Sequence, residues 1–559
     1  MLKKILIILF WLINYTNLYA KDINMNNFNQ KYLSNYFSAL VSTNNQDNDL
    51  AIKYFNSSKT LLIEHENFLK QYVFSLVEDN QIKKSIQEIN KQKNKNTSNF
   101  FEAKVLLIVN EVKKKNYLTA KKYSDELFNY EDNRTFEVVI AEILRSYIDL
   151  FLERKFVPIK SDFGKLNLIT QSFQQCYLNK SKSLKYYEKL INSEREDYSR
   201  YLFFYFLNLI ENNRYNEINE LSNKINILDS NLLILQSRDW INNKEFFKFK
   251  NIFSCENPNH LLSEFFFLVA NLYSSEKKLK KSNFYLLISN YLNPKFFYNN
   301  TLLAENYFIS ENYNKANNIL NKFQKRDKYY NWYKIKKLAQ IISFKNDEDK
   351  SLLFLEKKLL DLDDPSVKVL YDMANIYKNF DKFNKAIEFY DLVLLRIDSN
   401  SLSYAEVLYR KGGSFERLGD YFNADRDLLK SIEINPDDAY VLNYLAYSWL
   451  ERNLKTDLAI KMLIKAHNLK EDDPYIADSL GWAFYLNKDY KKAEEYLNLA
   501  IQLKPYDPVI MDHYADTLWM LGRKIQAKYL WNNIMKIENT SDVDKVKVKK
   551  KILTGLNNI

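Results

Sequence analysis

Glycine and proline are scarce in this 559-residue chain, at 7 and 8 residues. β-Hairpins draw on Gly for their positive-φ turns, so this shortage excludes an all-β architecture and leaves little from which to build a Gly-rich nucleotide loop. Cysteine is confined to Cys176 and Cys255, and histidine to His65, His260, His467 and His513. Two cysteines make no disulfide framework, and neither residue type shows metal-ligand spacing. Cys176 and Cys255 either bridge in an oxidising compartment or stay as two buried thiols, and the sequence leaves both open. What is abundant is core material: 46% hydrophobic and 15% aromatic residues exclude a disordered or collagen-like chain. The expectation is all-α.

Lys and Arg total 81 against 70 Asp and Glu, a net charge of +11. The excess is mostly Lys in a chain also rich in Asn, Ile, Tyr and Phe, residue types that share AT-rich codons. No basic block interleaves with aromatics as a stacking platform for nucleic acid would, so nucleic acid is not an expected partner.

Residues 1–20 read as a secretory signal peptide. Lys3 and Lys4 precede an apolar run from Ile5 to Ile13, and Leu18-Tyr19-Ala20 closes the segment before Lys21. The run is shorter than the roughly 20 apolar residues a membrane span needs, and no cysteine stands near the cut for lipid attachment. The expected location is the periplasm, with an uncleaved N-terminal anchor as the rival.

Self-similarity dominates the remainder. In a 34-residue frame, a unit starting at Pro474 places Gly481 at position 8, Phe484 at 11, Ala493 at 20, Ala500 at 27 and Pro505 at 32. Units from Pro508 (Ala515, Leu518, Ala527, Trp531), Ala439 (Leu442, Leu445, Ala446, Trp449), Ala405 (Gly412, Phe415, Ala424, Pro436) and Val367 (Leu370, Ala374, Tyr377, Ala386, Tyr390) follow the same frame. The second helix of the Ala439 unit slips by one, to Ala459, Leu463 and Ala466. Fainter units start at Ser263, Phe297 and Trp332, so successive starts lie 34, 35, 35, 38, 34, 35 and 34 residues apart. Small residues at 8, 20 and 27 let two antiparallel helices approach, and large apolar residues at 4, 7, 11 and 24 fill the gaps between them.

This pattern resembles the tetratricopeptide repeat (TPR). The resemblance implies an α-solenoid of stacked antiparallel helix pairs, with degenerate repeats over 21–262, about eight units over 263–540 and a basic capping helix over 541–559. The stretch Val157–Gly164, containing Pro158, is the best candidate for a real break. The Lys-rich tail, with Val546, Val548, Ile552, Leu553 and Leu556 among its lysines, reads as a cap or as a membrane-surface anchor.

Catalytic motifs are wanting. Gly412-Gly413-Ser414 lacks the Lys-Ser/Thr ending of a phosphate loop, and there is no Gly-x-Ser-x-Gly elbow. The pairs Asp363-Asp364, Asp437-Asp438 and Asp472-Asp473 fall between units as helix caps. No enzyme activity, cofactor or metal is expected.

Positions 2, 5, 9 and 12 of each unit point into the concave face, where such arrays take peptides. They give Tyr371, Asn375, Tyr409, Tyr440, Asn443, Tyr447, Asp478, Trp482, Tyr485, Asp512, Asp516 and Trp519 as the candidate protein-binding groove. Lys368, Asn375 and Arg410 only partly echo the set with which some family members clamp a peptide carboxyl terminus. The blocks Asn443–Trp449, Asp478–Trp482, Asp512–Ala515 and Leu521-Gly522-Arg523 also resemble exported proteobacterial TPR proteins, among them the outer-membrane adaptor of a carboxyl-terminal processing protease. That likeness implies a non-catalytic scaffold or adaptor of the cell envelope. Its partners would be proteins or peptides, such as a periplasmic protease or an envelope assembly complex, with membrane association at most peripheral. The rival readings are a membrane-anchored envelope assembly factor and an enzyme concealed in the N-terminal half.

Overall fold

The computed structural model describes residues 29–63, 65, 67–92, 96–129, 136–178, 180–192, 199–345, 348–537 and 543–558; the expected signal segment lies outside them. Thirty α-helices and no strand occur among the described residues. The chain divides into two compact units, residues 1–225 with 230–358, and residues 226–229 with 359–559.

Unit 1 contains α1 (Gln30–Asn44), α2 (Asn48–Ser57), α3 (Phe68–Glu78), α4 (Ile82–Lys91), α5 (Phe101–Lys113), α6 (Tyr117–Glu126), α7 (Phe136–Glu153), α8 (Lys165–Leu178), α9 (Lys180–Ile191) and α10 (Ser199–Glu211). It continues with α11 (Tyr215–Asn223), α12 (Leu232–Asn242), α13 (Phe247–Ile252), α14 (Pro258–Ser275), α15 (Leu279–Leu292), α16 (Asn299–Ile309), α17 (Tyr313–Leu320), α18 (Lys328–Lys345) and α19 (Glu348–Leu360). Neighbouring helices pair as hairpins, but the chain also returns on itself. α14 packs on α5 and α7, and α15 packs on α3. Phe74 of α3 stacks on Phe284 of α15 at 4.6 Å, and Phe136 of α7 meets Tyr273 of α14 edge to face at 5.3 Å. The three faint repeat units thus sit in unit 1, where α14 and α15 pack against the earlier first helices.

Two devices hold unit 1 together. Cys176 at the end of α8 is joined by a disulfide to Cys255 before α14, with Cα atoms 5.6 Å apart, which settles the pairing the sequence left open. The buried Arg200 of α10 grips Glu264 of α14 at 2.6 and 2.8 Å and Asn299 of α16 at 2.9 Å, its guanidinium lying 3.6 Å from the Phe267 ring. Removing one partner of a buried ion pair of this kind leaves the other charge uncompensated, at a cost of about 3–5 kcal/mol. Val157–Gly164 is a loop inside unit 1, pinned where Gln174 bonds both the N–H and the C=O of Val157.

Unit 2 is a regular run of pairs: α20 (Val367–Asn379) with α21 (Phe383–Leu394), α22 (Leu402–Arg417) with α23 (Tyr421–Ile434), α24 (Ala439–Glu451) with α25 (Thr456–Leu469), α26 (Pro474–Leu486) with α27 (Tyr490–Leu503), and α28 (Pro508–Met520) with α29 (Lys524–Ile534). α30 (Lys545–Thr554) closes it. The small residues act as the spacing predicts. A Cβ added to Gly481 would stand 2.6 Å from Leu497 Cγ, and one on Gly412 2.9 Å from Leu428 Cγ, so these helices touch backbone to side chain. Ala386, Ala424, Ala459, Ala493 and Ala527 are all buried. Asp438, Asp473 and Asp507 cap α24, α26 and α28 through their side chains. At α20 the cap is instead Ser366, and Asp364 pairs with Arg396 at 3.1 Å.

The turns explain the irregular spacing. Three residues join the helices of most pairs, with a left-handed residue at Asp381, Gly419, Lys488 or Gly522. Four residues join α24 to α25, with both Asn453 and Lys455 left-handed, which accounts for the one-residue slip. The 38-residue interval arises where seven residues connect α21 to α22, against four in the following pairs, and where α22 begins three residues ahead of the unit start at Ala405.

Candidate functional site

The first helices of unit 2, α20, α22, α24, α26 and α28, carry the twelve candidate groove residues, and the structure sorts them into three groups. At one end Tyr371 is buried rather than open: its hydroxyl donates to Glu406 at 3.2 Å, and Arg410, itself bonded to Glu406 at 2.6 Å, lies over its ring. Asn375 accepts from the Tyr390 hydroxyl at 2.7 Å.

The middle is an aromatic ledge. Tyr409 packs edge to face on Tyr444 at 5.7 Å, Tyr440 is half exposed, and the partly buried Tyr447 lies one helical turn from Glu451. Trp482 donates its indole N–H to Glu451 at 3.2 Å and stacks between Tyr485 at 4.6 Å and His513 at 4.0 Å. The Trp482 edge is anchored by its hydrogen bond while the rings of the ledge remain partly accessible, and Trp and Tyr are the residue types enriched at binding hot spots. Burial raises the hydroxyl pKa of Tyr409, Tyr447 and Tyr485, so these phenols stay neutral donors. Asn443 adds a buried side-chain oxygen with no hydrogen-bond partner among the described residues.

The far end is closed by the chain itself. Asp478 and Asp516 are buried, contrary to the expectation of an acidic groove lining. Both carboxylate oxygens of Asp478 lie 3.0 Å from His513 Nδ1. Burial of His513 opposes its protonation, but Asp478, Asp512 and Asp516 outweigh that and raise its pKa. Lys551 of α30 reaches Asp512 and Asp516 at 2.8–2.9 Å. Burial and the Asp512 charge nonetheless push Asp516 up to about 6. Gly555 lies against Trp519, where a Cβ would stand 2.0 Å from the indole, and Trp519 also packs on Trp531. The basic tail therefore occupies Asp512, Asp516 and Trp519; of its apolar residues Val548, Ile552 and Leu556 sit in the terminal core cluster, while Val546 and Leu553 are exposed. The sequence leads one to expect a cap here but not which groove positions it covers, because residue position within a repeat says nothing about what a later segment will cover.

The same register also passes over Lys378 at position 12 and Gly413 at position 9, where neither an aromatic nor a carboxylate drew notice. Lys378 is half-buried; burial, Arg410 and Arg417 lower its pKa, against Glu406 and Glu416. Among the described residues no group of three or more His, Cys, Asp or Glu side chains could hold a metal ion, and no helix is long and apolar enough to cross a membrane.

Residues 367–398, 405–438 and 478–507 match the family model of the tetratricopeptide repeat. The chain carries TPR repeats. All three matched segments lie in unit 2. A TPR repeat-containing protein of Pseudomonas aeruginosa is 36% identical over 99 residues, 18% of this chain and 17% of that protein. Among solved structures, a fragment of MamA from Desulfovibrio magneticus RS-1 is 19% identical, covering 32% of this chain and 97% of its own with a TM-score of 0.28. YrrB, a TPR protein with an unusual peptide-binding site, is 16% identical, covering 35% and 97%, with a TM-score of 0.27. TPR units are protein-interaction modules, and unit 2 is such a scaffold.

Proposed function

We propose that this TPR protein is a non-catalytic, exported scaffold or adaptor that takes protein or peptide partners on the first-helix face of unit 2. The observation that carries this is the ledge of Tyr409, Tyr440, Tyr447, Trp482 and Tyr485: successive helices present rings that are partly exposed rather than packed away, with Trp482 fixed by its hydrogen bond to Glu451 and its stacking on Tyr485. In unit 1 the first helices α3, α5 and α7 are already met by α14 and α15. Export to the periplasm is supported by the order of charged, apolar and small residues in 1–20 and by the Cys176–Cys255 disulfide, a bond that persists in oxidising compartments. The adaptor role in the cell envelope rests on the resemblance of the blocks around Asn443, Asp478 and Asp512.

The test is an affinity pull-down from solubilised cell envelope with the full chain and its Trp482→Ala variant. A defined set of proteins retained by the first and lost by the second is expected. Equal retention by both would remove the ledge from the reading. Mass spectrometry of the mature protein, expected to begin at Lys21, tests export.

A further inference from the structure

Three hairpin turns of unit 1 meet around a cleft of about 740 Å³. The turns join α1 to α2, α3 to α4 and α16 to α17, with Gln46, Asn80 and Glu311 as their left-handed central residues. They come together only because α16 and α17 return to the start of the chain. Gln46 fastens two of them, donating to the Ser310 carbonyl at 3.3 Å and accepting from the Asn312 amide at 3.1 Å. Glu78 ties in the third, accepting from Asn48 at 2.8 Å and pairing with Lys315 at 3.2 Å. These cross-links set the walls before any ligand arrives, which lowers the cost of binding one. Small-molecule sites share this size but are mostly apolar, whereas carboxylates and amides dominate here.

The lining favours positive charge. Asp47, Asp49, Glu78, Asp79 and Glu311 stand against Lys315 and Lys322, an excess of three negative charges in a chain whose net charge is +11. Asp49 and Glu311 make no side-chain hydrogen bond or ion pair among the described residues. No three of the carboxylates converge as metal ligands do, so their charge is spread along the cleft. Tyr307 is 4% exposed and lines the cleft, yet its hydroxyl forms no hydrogen bond among the described residues. Burial, and then the Glu78 and Asp79 charges, raise its pKa, so it stays a neutral phenol. A buried polar group without a partner is costly, and a ligand N–H supplies one. We propose that this cleft binds an extended organic cation, with ammonium groups spaced along a flexible chain as in a polyamine. Dispersed carboxylates match dispersed ammonium groups through charge-assisted hydrogen bonds, whereas a neutral polyol leaves the excess charge unmatched. The Tyr307 oxygen accepts one N–H in the interior, and the exposed Asp49 and Glu311 meet charges at the rim. The ammonium groups come from a free polyamine or from lysine side chains of a peptide, equivalent at these carboxylates.

Isothermal titration calorimetry on the full chain tests this with spermidine, trilysine amide, maltotriose and magnesium ions as probes. Saturable binding of spermidine, trilysine amide or both at a single site is expected. Asp49→Asn with Glu311→Gln should weaken it about tenfold. Glu471→Gln with Asp472→Asn, which removes two exposed carboxylates of unit 2, should leave it unchanged. Tyr307→Phe should weaken it about threefold at an unaltered melting temperature, because the hydroxyl it removes has no partner in the protein. Spermidine bound alone assigns the ammonium groups to a free polyamine. Trilysine amide bound with the same dependence on Asp49 and Glu311 assigns them to a peptide, and either result upholds the site. Equal weakening by both double variants reduces the binding to general charge and overturns the proposal. Maltotriose or magnesium bound in preference to both ammonium probes overturns it too, as does an unaltered chain that takes up neither of them.

Discussion

Two glycines on equivalent helices should respond to the same substitution with opposite signs. Gly481→Ala places a methyl 2.6 Å from Leu497 Cγ, 3.1 Å from Leu497 N and 3.2 Å from Ala493 O. Leu497 and Ala493 are fully buried, and two of the three contacts are backbone, so neither can yield without moving α27 off α26. Forcing extra volume into such a contact costs about 1–3 kcal/mol, and the short distance puts this case near the top of that range. Helix propensity returns about 1 kcal/mol, leaving a net loss of about 2 kcal/mol. Gly413→Ala places its methyl at 3.4–3.6 Å from the ends of two side chains, an ordinary contact. There the propensity term stands nearly alone, a gain of about 0.5–1 kcal/mol. Because a chain of two units need not unfold in one step, the assay is native-state hydrogen exchange read on peptides of unit 2, beside urea unfolding. Equal effects of the two substitutions, or stabilisation by Gly481→Ala, would refute the inference that position 8 is small for packing and position 9 is not.

The terminal cap of unit 2 depends on one lysine: Lys551→Met leaves Asp512 and Asp516 facing each other partly or wholly buried, and should cost about 3 kcal/mol, seen as new protease cleavage within α30 at unchanged helicity of the preceding pairs. The two units should respond oppositely to pH. In unit 2 the folded pKa values of Asp516 (about 6) and His513 are raised, so their contribution is full below their unfolded values, near 4 and 6.5, and lost as pH rises through the folded ones. In unit 1 burial and Lys295 lower His260 to about 4, so its contribution is present above about 6.5 and lost as pH falls toward 4. Hydrogen exchange from pH 4 to 8 checks both signs, and His260→Gln and His513→Gln should each flatten the trend in their own unit. Reductant should destabilise unit 1 selectively, by about 4 kcal/mol from loop entropy for a bridge spanning 79 residues, and Cys176→Ser should reproduce it.

Much of the array was legible from residue spacing. The small residues at positions 8 and 20, the Asp caps before α24, α26 and α28, and even the slip in the Ala439 unit all reflect contacts made within a few tens of residues. The periodicity also picked out Trp482 and Tyr447 as ledge residues, because repeat position sets the direction in which a helical side chain leaves its axis. Direction is not exposure. Tyr371 points the same way yet lies under Arg410, and Asp516 points the same way yet is buried against Lys551.

The sequence by itself determined an all-α repeat of helix pairs in which small and large residues alternate across each contact. It also identified two cysteines with an undecided relationship. Tertiary structure alone decided that Cys176 and Cys255 meet, that α14 and α15 return to α3, α5 and α7, and that α30 covers Trp519. It also decided that the Lys378 ammonium lies over Gly413. Repeat spacing encodes neighbours one helix away, whereas each of these outcomes depends on a segment brought in from a distance in the chain, for which a local pattern carries no signal.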